Sequence, residues 1–486
     1  PYRRQRQMCI RDSREGDIHI HDMDFYTLTT TCCQIDLRRL FKGGFSTGHG
    51  VLREPNDIAS YSALACIAIQ SNQNDQHGGQ SICDFDYGLA LGVQKTFKRL
   101  YKKHLFEALS LLTDVENPKE TAETIIGRVE GETGKCASLV MDATFEGAIQ
   151  QELIDLGIEE AVAKRILGYA ESSAKADTDR TTFQAMEALV HNLNTMHSRA
   201  GAQTPFSSIN YGMDTSAEGR MVIKNILLAT EEGLGSGETP IFPVQIFRVK
   251  EGVNYNPGDP NYDLFKLAMR CSAKRLFPNF SFVDAPFNLQ YYKGTPETEI
   301  SYMGCRTRVM GNVYDPSREI TTGRGNLSFT SINLPRLAIR SKGDRDLFFD
   351  LLDAKLALVV GQLDERFKIQ ASKHVYNAPF LMGQGVWIDS EKLSMNDTQE
   401  EVLKHGTLTV GFIGLAEALV ALTGSHHGQD PESQKLGLEI VGHMRGYLDR
   451  LSQERKMNYS LIATPAEGLS GRFVRMDRER YGSIPG

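Results

Sequence analysis

GRGNLSFTSINLPR, residues 323–336, is the stretch on which the fold turns. Extended backbone sends alternate side chains to opposite faces, so Asn326, Ser328 and Thr330 share one face while Leu327 and Phe329 share the other. In a barrel wrapped by helices the outer face is buried and apolar, and a polar inner face then marks a site rather than packing. A strand with one side in water produces the same alternation, so the pattern leaves both readings open.

The neighbouring sequence favours the wrapped arrangement. QTPFSSINYG (203–212), GETPIFPVQIF (237–247), NAPFLMGQGVW (377–387) and MNYSLIATPAEG (457–468) are expected to be turn-and-strand units. Between them lie helical stretches at 56–70, 87–112, much of 118–197, with 154–174 strongly amphipathic, and 346–373. The last of these carries a core stripe of Leu352, Leu356, Val359 and Leu363. Strands alternating with helices along the whole chain indicate an α/β barrel or a doubly wound sheet.

A chain of 486 residues with a formal charge of −7 lacks the basic footprint of a nucleic-acid binder. The longest apolar stretch, 408–424, carries Glu417 and several glycines and is too short to cross a bilayer. No secretory leader opens the sequence, and eight scattered cysteines fit a reducing cytoplasm. PYRRQRQMCIRDS at the start shows neither helical nor strand period. It is expected to be a non-native leader over residues 1–13, ahead of one catalytic region at 14–486, and Cys9 is set aside with it.

The chemistry-bearing residues come next. GDIHIHDMDFYTLTTTCC (16–33) is expected to be strand; His19, His21, Asp22 and Asp24 within it suit a hydrogen-bonded strand end better than a metal site. Cys32 and Cys33, adjacent on a strand, point to opposite faces, so only one can look into a barrel. HGGQS (77–81) is a glycine turn that lets backbone approach closely. GETGKC (131–136) lacks the first glycine of a phosphate loop and has Cys136 where a hydroxyl should bind magnesium, so it is rejected. No CxxC occurs, and Cys305, in YMGCRTRV (302–309), could be a packing residue or a working thiol. ATPAEG (463–468) resembles a strand end leading through a proline into a helix, whose first N–H groups suit phosphate oxygens.

GDIHIHDMD, HGGQS, GAQTPFSSINYG, GETPIFPVQIF, YMGCRTRV, GRGNLSFTSINLPR, NAPFLMGQGVW and NYSLIATPAEGLSGRF resemble, in order, the blocks of the anaerobic (class III) ribonucleotide reductases. These belong to the glycyl radical enzyme superfamily. The resemblance covers residues 16–473 and implies a ten-stranded α/β barrel with a central finger loop. It implies reduction of ribonucleoside triphosphates to deoxyribonucleoside triphosphates, with the thiyl radical on Cys305 and the second thiol at Cys32. Asn326 matches a pocket amide of the formate-using subgroup, and Thr464, Pro465, Ala466 and Glu467 match the loop that holds the substrate phosphates. Cys305, Cys32 and Asn326 are expected to line one cavity, with Cys33 turned away.

The resemblance also implies a cytoplasmic homodimer, ATP and dNTP effectors bound near residues 54–70 and the helix after Tyr87, and a radical-SAM iron–sulfur activating enzyme. The family's glycyl radical and four-cysteine zinc site lie in a C-terminal segment that these residues do not contain, and an N-terminal ATP-cone is likewise missing. The chain is therefore expected to be a catalytic barrel that does not turn over alone. Two alternatives remain: a glycyl-radical lyase acting on a small acid, and a non-catalytic nucleotide-binding regulatory subunit.

Overall fold

The computed structural model describes residues 2–198, 203–304 and 307–483. It begins with helix α1 (Tyr2–Glu15), strand β1 (Ile18–Ile20), strand β2 (Cys33–Ile35) and the short helix α2 (Leu37–Phe41), which is capped by Asp36 through the Arg38 and Arg39 N–H groups. A small hairpin, β3 (Phe45–Ser46) and β4 (Val51–Leu52), leads to α3 (Ile58–Asp75), β5 (Gln80–Ile82) and α4 (Phe85–Leu112). Helices α5 (Pro118–Thr133), α6 (Ala143–Asp155) and α7 (Glu160–Thr195) follow. The chain then alternates: β6 (Ser207–Tyr211), α8 (Ala217–Glu232), β7 (Val244–Val249), α9 (Tyr262–Arg275), β8 (Asn279–Phe282) and α10 (Pro286–Leu289). Short strands β9 (Tyr302–Met303) and β10 (Thr307–Arg308) precede β11 (Asn326–Asn333), α11 (Leu334–Ser341) and α12 (Arg345–Ala371). The last elements are α13 (Glu400–Leu403), β12 (Thr407–Ile413), α14 (Leu415–Thr423), α15 (Pro431–Arg455), β13 (Asn458–Ala463) and α16 (Glu467–Tyr481).

Contacts divide the chain into two compact units, one of Pro1–Gln34, Asp75–Gly78 and Thr307–Gly486, the other of Ile35–Asn74 and Gly79–Arg306. The first holds a four-stranded sheet in the order β1-β11-β12-β13, parallel except for β1. Helices cross over between its parallel strands; β11 and β12 are accordingly buried along nearly their whole length, whereas β13, at the sheet edge, is buried only at Asn458 and Tyr459. The α12 stripe of Leu352, Leu356, Val359 and Leu363 is fully buried. The second unit is built on the parallel strands β5-β6-β7-β8, with α8 and α9 as crossovers.

Five expectations need correction. Residues 2–13 are regular: α1 covers them, with Cys9 buried and Asp12 paired to Lys355 of α12. Residues 16–33 are not one strand, because Asp22 adopts a left-handed φ of 49° and starts a 3₁₀ turn at Met23–Phe25. The amphipathic stretch 154–174 is broken after Asp155, where Gly157 takes φ 85° and separates α6 from α7. The stretch 377–387 forms turns, not strand; the Phe380 and Leu381 N–H groups donate to the Asp75 carboxylate at 2.8 and 2.9 Å instead of to a ladder.

The fifth correction changes the face on which the site lies. Asn326 pairs with Thr407, but Ser328 pairs with Leu408, so one extra residue is inserted in β11. This β-bulge puts Asn326 on the face of Phe329 and Ser331, while Ser328 and Thr330 turn to the opposite side. Thr330 there donates to Gln362 of α12 at 2.6 Å, so the Ser328–Thr330 row belongs to helix packing. The Asn326 carbonyl accepts from both Thr31 and Cys32 N–H, at 3.2 and 3.1 Å, where the ladder is interrupted.

Candidate active site

On the site face of the first unit's sheet, hydroxyl groups cross the parallel strands in two rows. Thr409 Oγ1 donates to Asn326 Oδ1 at 3.1 Å and meets Ser460 Oγ at 2.9 Å. Ser331 Oγ meets Thr464 Oγ1 at 2.7 Å and His21 Nε2 at 2.9 Å. Gly411 pairs with Ser331 in the second row, and a Cβ there would collide with Thr464 Oγ1, Phe329 and Ser331 Oγ. Only glycine keeps this face open.

Asn326 is buried, and with its Oδ1 engaged by Thr409 its Nδ2 is the group left to donate. Cys32 joins it through the backbone bond already described. Burial pushes the Cys32 thiol up to about 12, so it carries its hydrogen at neutral pH. That state suits a hydrogen-atom donor and is wrong for a nucleophile, which must first lose the proton. Cys33 is also fully buried and shifted upward by burial, with its Sγ 3.6 Å from the Gln34 carbonyl. Cys305 lies outside the described residues.

His21 stacks on Phe329 with ring centroids 4.0 Å apart, and burial lowers its pKa to about 3, leaving it neutral. His19 Nδ1 accepts from Arg472 at 3.2 Å, and its pKa is lowered chiefly by burial. The pair are therefore engaged in hydrogen bonds, with His21 looking onto the site face.

A cavity of about 780 Å³ opens at the carboxyl ends of β11, β12 and β13, the usual ligand position in an open α/β sheet. Thr464 and Ala466 line it, as do Ser470 and Arg478 of α16. Its remaining walls are largely apolar, and of its acids Asp477 is paired with Arg336. The turn at Thr464–Glu467 offers fewer donors than its length suggests. The Thr464 N–H is spent on the Phe412 carbonyl at 2.9 Å and Pro465 has none, so donation begins at Ala466. By contrast, residues 131–134 end helix α5, with Gly134 at φ 64°; a phosphate there would meet the negative end of a helix.

Thr409, Ser460, Ser331 and Arg478 escaped the sequence reading. The alternation Thr407, Thr409, Gly411 in TLTVGFI carries the signal, but the apolar residues between them make the stretch a hydrophobic run. Arg478 sits on a helix face whose neighbour no local pattern discloses.

The family model described as anaerobic ribonucleoside-triphosphate reductase matches residues 6–486. The chain belongs to the anaerobic ribonucleoside-triphosphate reductase family. The Escherichia coli K12 anaerobic ribonucleoside-triphosphate reductase is 30% identical over 483 residues, covering 98% of this chain and 58% of the relative. The phage T4 anaerobic ribonucleoside-triphosphate reductase is 29% identical over 484 residues, covering 98% and 68%. The chain thus spans 58% of the length of the enterobacterial reductases it matches. Among solved structures, the Thermotoga maritima anaerobic ribonucleotide reductase in complex with dATP and CTP superposes with a TM-score of 0.57 at 13% identity, covering 97% of this chain and 65% of that one. The same enzyme with MES in its active site gives 0.62 at 13% identity, covering 98% and 66%. The α/β fold is that of the anaerobic ribonucleotide reductases. No helix of the described residues is long and apolar enough to cross a membrane.

Proposed function

We propose that this chain is the catalytic region of an anaerobic reductase that converts ribonucleoside triphosphates to deoxyribonucleoside triphosphates in the cytoplasm. The observation that carries the reading is the buried Cys32, joined through its N–H to the Asn326 carbonyl, in a chain of this family.

In this reading Cys305, as a thiyl radical, removes the 3′ hydrogen of the ribose. The 2′ hydroxyl then departs as water, Cys32 delivers hydrogen to C2′, and Cys305 returns the 3′ hydrogen. The two electrons come from formate, so that ribonucleotide, formate and a proton give deoxyribonucleotide, carbon dioxide and water. Asn326 Nδ2 holds the formate carboxylate by hydrogen bonding without like-charge repulsion. The substrate phosphates lie against the N–H groups from Ala466 onward at the start of α16, where the helix terminus favours anions, with Thr464 beside them.

The ten-stranded barrel with its finger loop is part of the same proposal, supported by the likeness to the solved reductases. So are a homodimer, ATP and dNTP effectors, and an iron–sulfur activating enzyme. A glycyl radical, with a zinc site beside it, would lie on a further C-terminal segment and would supply the oxidising equivalent for Cys305. The test extends the chain with the C-terminal radical segment of a family relative, activates it anaerobically and supplies labelled formate. Labelled carbon dioxide should appear in step with deoxynucleotide; turnover driven by a thioredoxin system without it would contradict the formate route.

A further inference from the structure

The second unit devotes the polar face of two strands to one short piece of backbone. Asn210, at the end of β6, accepts from the Tyr302 N–H at 2.8 Å through Oδ1 and donates to the Tyr302 carbonyl at 3.0 Å through Nδ2. A single side-chain amide thus pairs both backbone groups of one residue, as a neighbouring strand would. Ser81 of β5 donates a second bond to the same carbonyl at 2.8 Å. Two residues on, the Gly304 N–H donates to Ser208 Oγ at 3.1 Å. Ser81, Ser208 and Asn210 are all fully buried, so water does not compete for these bonds.

The segment is fixed sterically as well. Gly304 has φ 55°, and a Cβ there would lie 2.9 Å from Phe206. Upstream, Ser301 Oγ donates to the Cys83 carbonyl at 3.1 Å, and Arg248 pairs with Glu299 at 2.6 Å while donating to the same Cys83 carbonyl at 3.1 Å. The chain is therefore held from Glu299 through Gly304, up to the residue preceding Cys305.

We propose that Asn210, seconded by Ser208 and Ser81, is a positioning residue: it fixes the backbone of 302–304 that leads directly into Cys305, acting on the backbone and not on substrate. The proposal rests on the reading of Cys305 as the working thiol. Its physical basis is that hydrogen abstraction requires the reacting atoms in a narrow range of separation, and misplacement by about 1 Å costs roughly 100-fold in rate.

The first test uses the 486-residue chain itself. Hydrogen–deuterium exchange is followed in a peptide spanning 301–310 for the parent, Asn210→Ala, Ser208→Ala and Ser208→Thr. Thr230→Val serves as control, since it deletes the Gln245–Thr230 bond of the same unit. Asn210→Ala should raise exchange at the Tyr302 and Gly304 amides about tenfold or more and Ser208→Ala by less. Ser208→Thr should restore protection, and Thr230→Val should leave the peptide unchanged. Strand β7 should stay protected throughout. Unchanged exchange at 301–310, or equal loosening of β7, overturns the proposal.

The second test uses the chain extended with the radical segment. Asn210→Ala should lower kcat roughly 10- to 100-fold with KM for the nucleotide unchanged. A raised KM at full kcat overturns the proposal. Cys305→Ser separates the two claims. If that variant is inactive while Asn210→Ala keeps full kcat, the positioning claim alone fails. If Cys305→Ser still turns over, the thiol reading fails, and the exchange experiment still decides whether Asn210 holds the backbone of 302–304.

Discussion

The two units use the face of a parallel sheet in different ways. In the first, side chains of β11, β12 and β13 themselves form the surface: Asn326, Thr409 and Ser460 in one row, Ser331 and Thr464 in the next. In the second, Ser81, Ser208 and Asn210 spend their hydrogen bonds on the backbone of 302–304 and leave little for a ligand. Their titrating groups differ in the same sense. The first unit holds neutral imidazoles, the half-buried His21 lowered to about 3 and the buried His405 to about 4, whereas the second buries Asp214, raised by burial and Asp86 to about 6. A polar sheet face is therefore evidence of a task, and what the side chains bond to tells which task it is.

The comparison breaks most visibly at Cys32. In the extended, activated chain Cys32→Ser should abolish turnover, by on the order of 10³-fold or more, because an alcohol O–H holds its hydrogen too strongly to replace a thiol; that corresponds to about 4 kcal/mol in the barrier. Anaerobic assays check this, with circular dichroism to show the fold unchanged. Turnover within tenfold of the parent would remove Cys32 from the chemistry.

How much of this was legible in the sequence depended on whether local pattern and long-range pairing agreed. Strands at 207–211, 244–249 and 458–463 and the α12 stripe were visible because proline turns and a 3.6-residue period mark them whatever their neighbours do. The face of Asn326 was misassigned because parity presumes an unbroken ladder. The bulge coincides with a contact 294 residues away in sequence, where the Asn326 carbonyl meets the Cys32 N–H, and no window around Asn326 contains that information (326 − 32 = 294). Residues 377–387 failed for a similar reason: the Asp75 carboxylate, far away in sequence, takes the N–H groups that a ladder would have used. The thiols and the phosphate turn were assigned by resemblance; alternation alone left Cys32 and Cys33 equivalent.

A smaller effect sharpens the contrast between the units. Gly411→Ala should destabilise the first unit by about 1–3 kcal/mol, since its Cβ would displace Thr464 and Ser331 in a packed layer. Trp387, the sole tryptophan, is fully buried in this unit, so its fluorescence in a urea titration reads the change directly. An unchanged midpoint would mean that the face is looser than the hydroxyl rows indicate.

The pH dependence is smaller still per unit of pH. Each of His21 and His405 has a folded pKa below the unfolded value of about 6.5. Its contribution is present above that value and is lost as pH falls toward about 3 and about 4, at up to about 1.4 kcal/mol per pH unit for each ring. Asp214 has the opposite sign: its raised pKa favours the fold at low pH, and that contribution is lost as pH rises through about 6. The Trp387 urea midpoint should therefore fall between pH 6.5 and 4.5, and His405→Gln should flatten the decline. A midpoint independent of pH over that range would contradict the neutral state of the imidazoles.

The central claim is that a buried thiol of this chain, Cys32, gives hydrogen to C2′ of the substrate ribose. A thiol hydrogen exchanges with solvent, whereas hydrogens on the ribose carbons do not. The direct measurement is therefore to run the extended, activated chain in deuterium oxide and read the deoxynucleotide by mass spectrometry and NMR. The account predicts deuterium on C2′. A product with no deuterium at C2′ would contradict it, because the hydrogen would then have come from a carbon-bound source and not from Cys32.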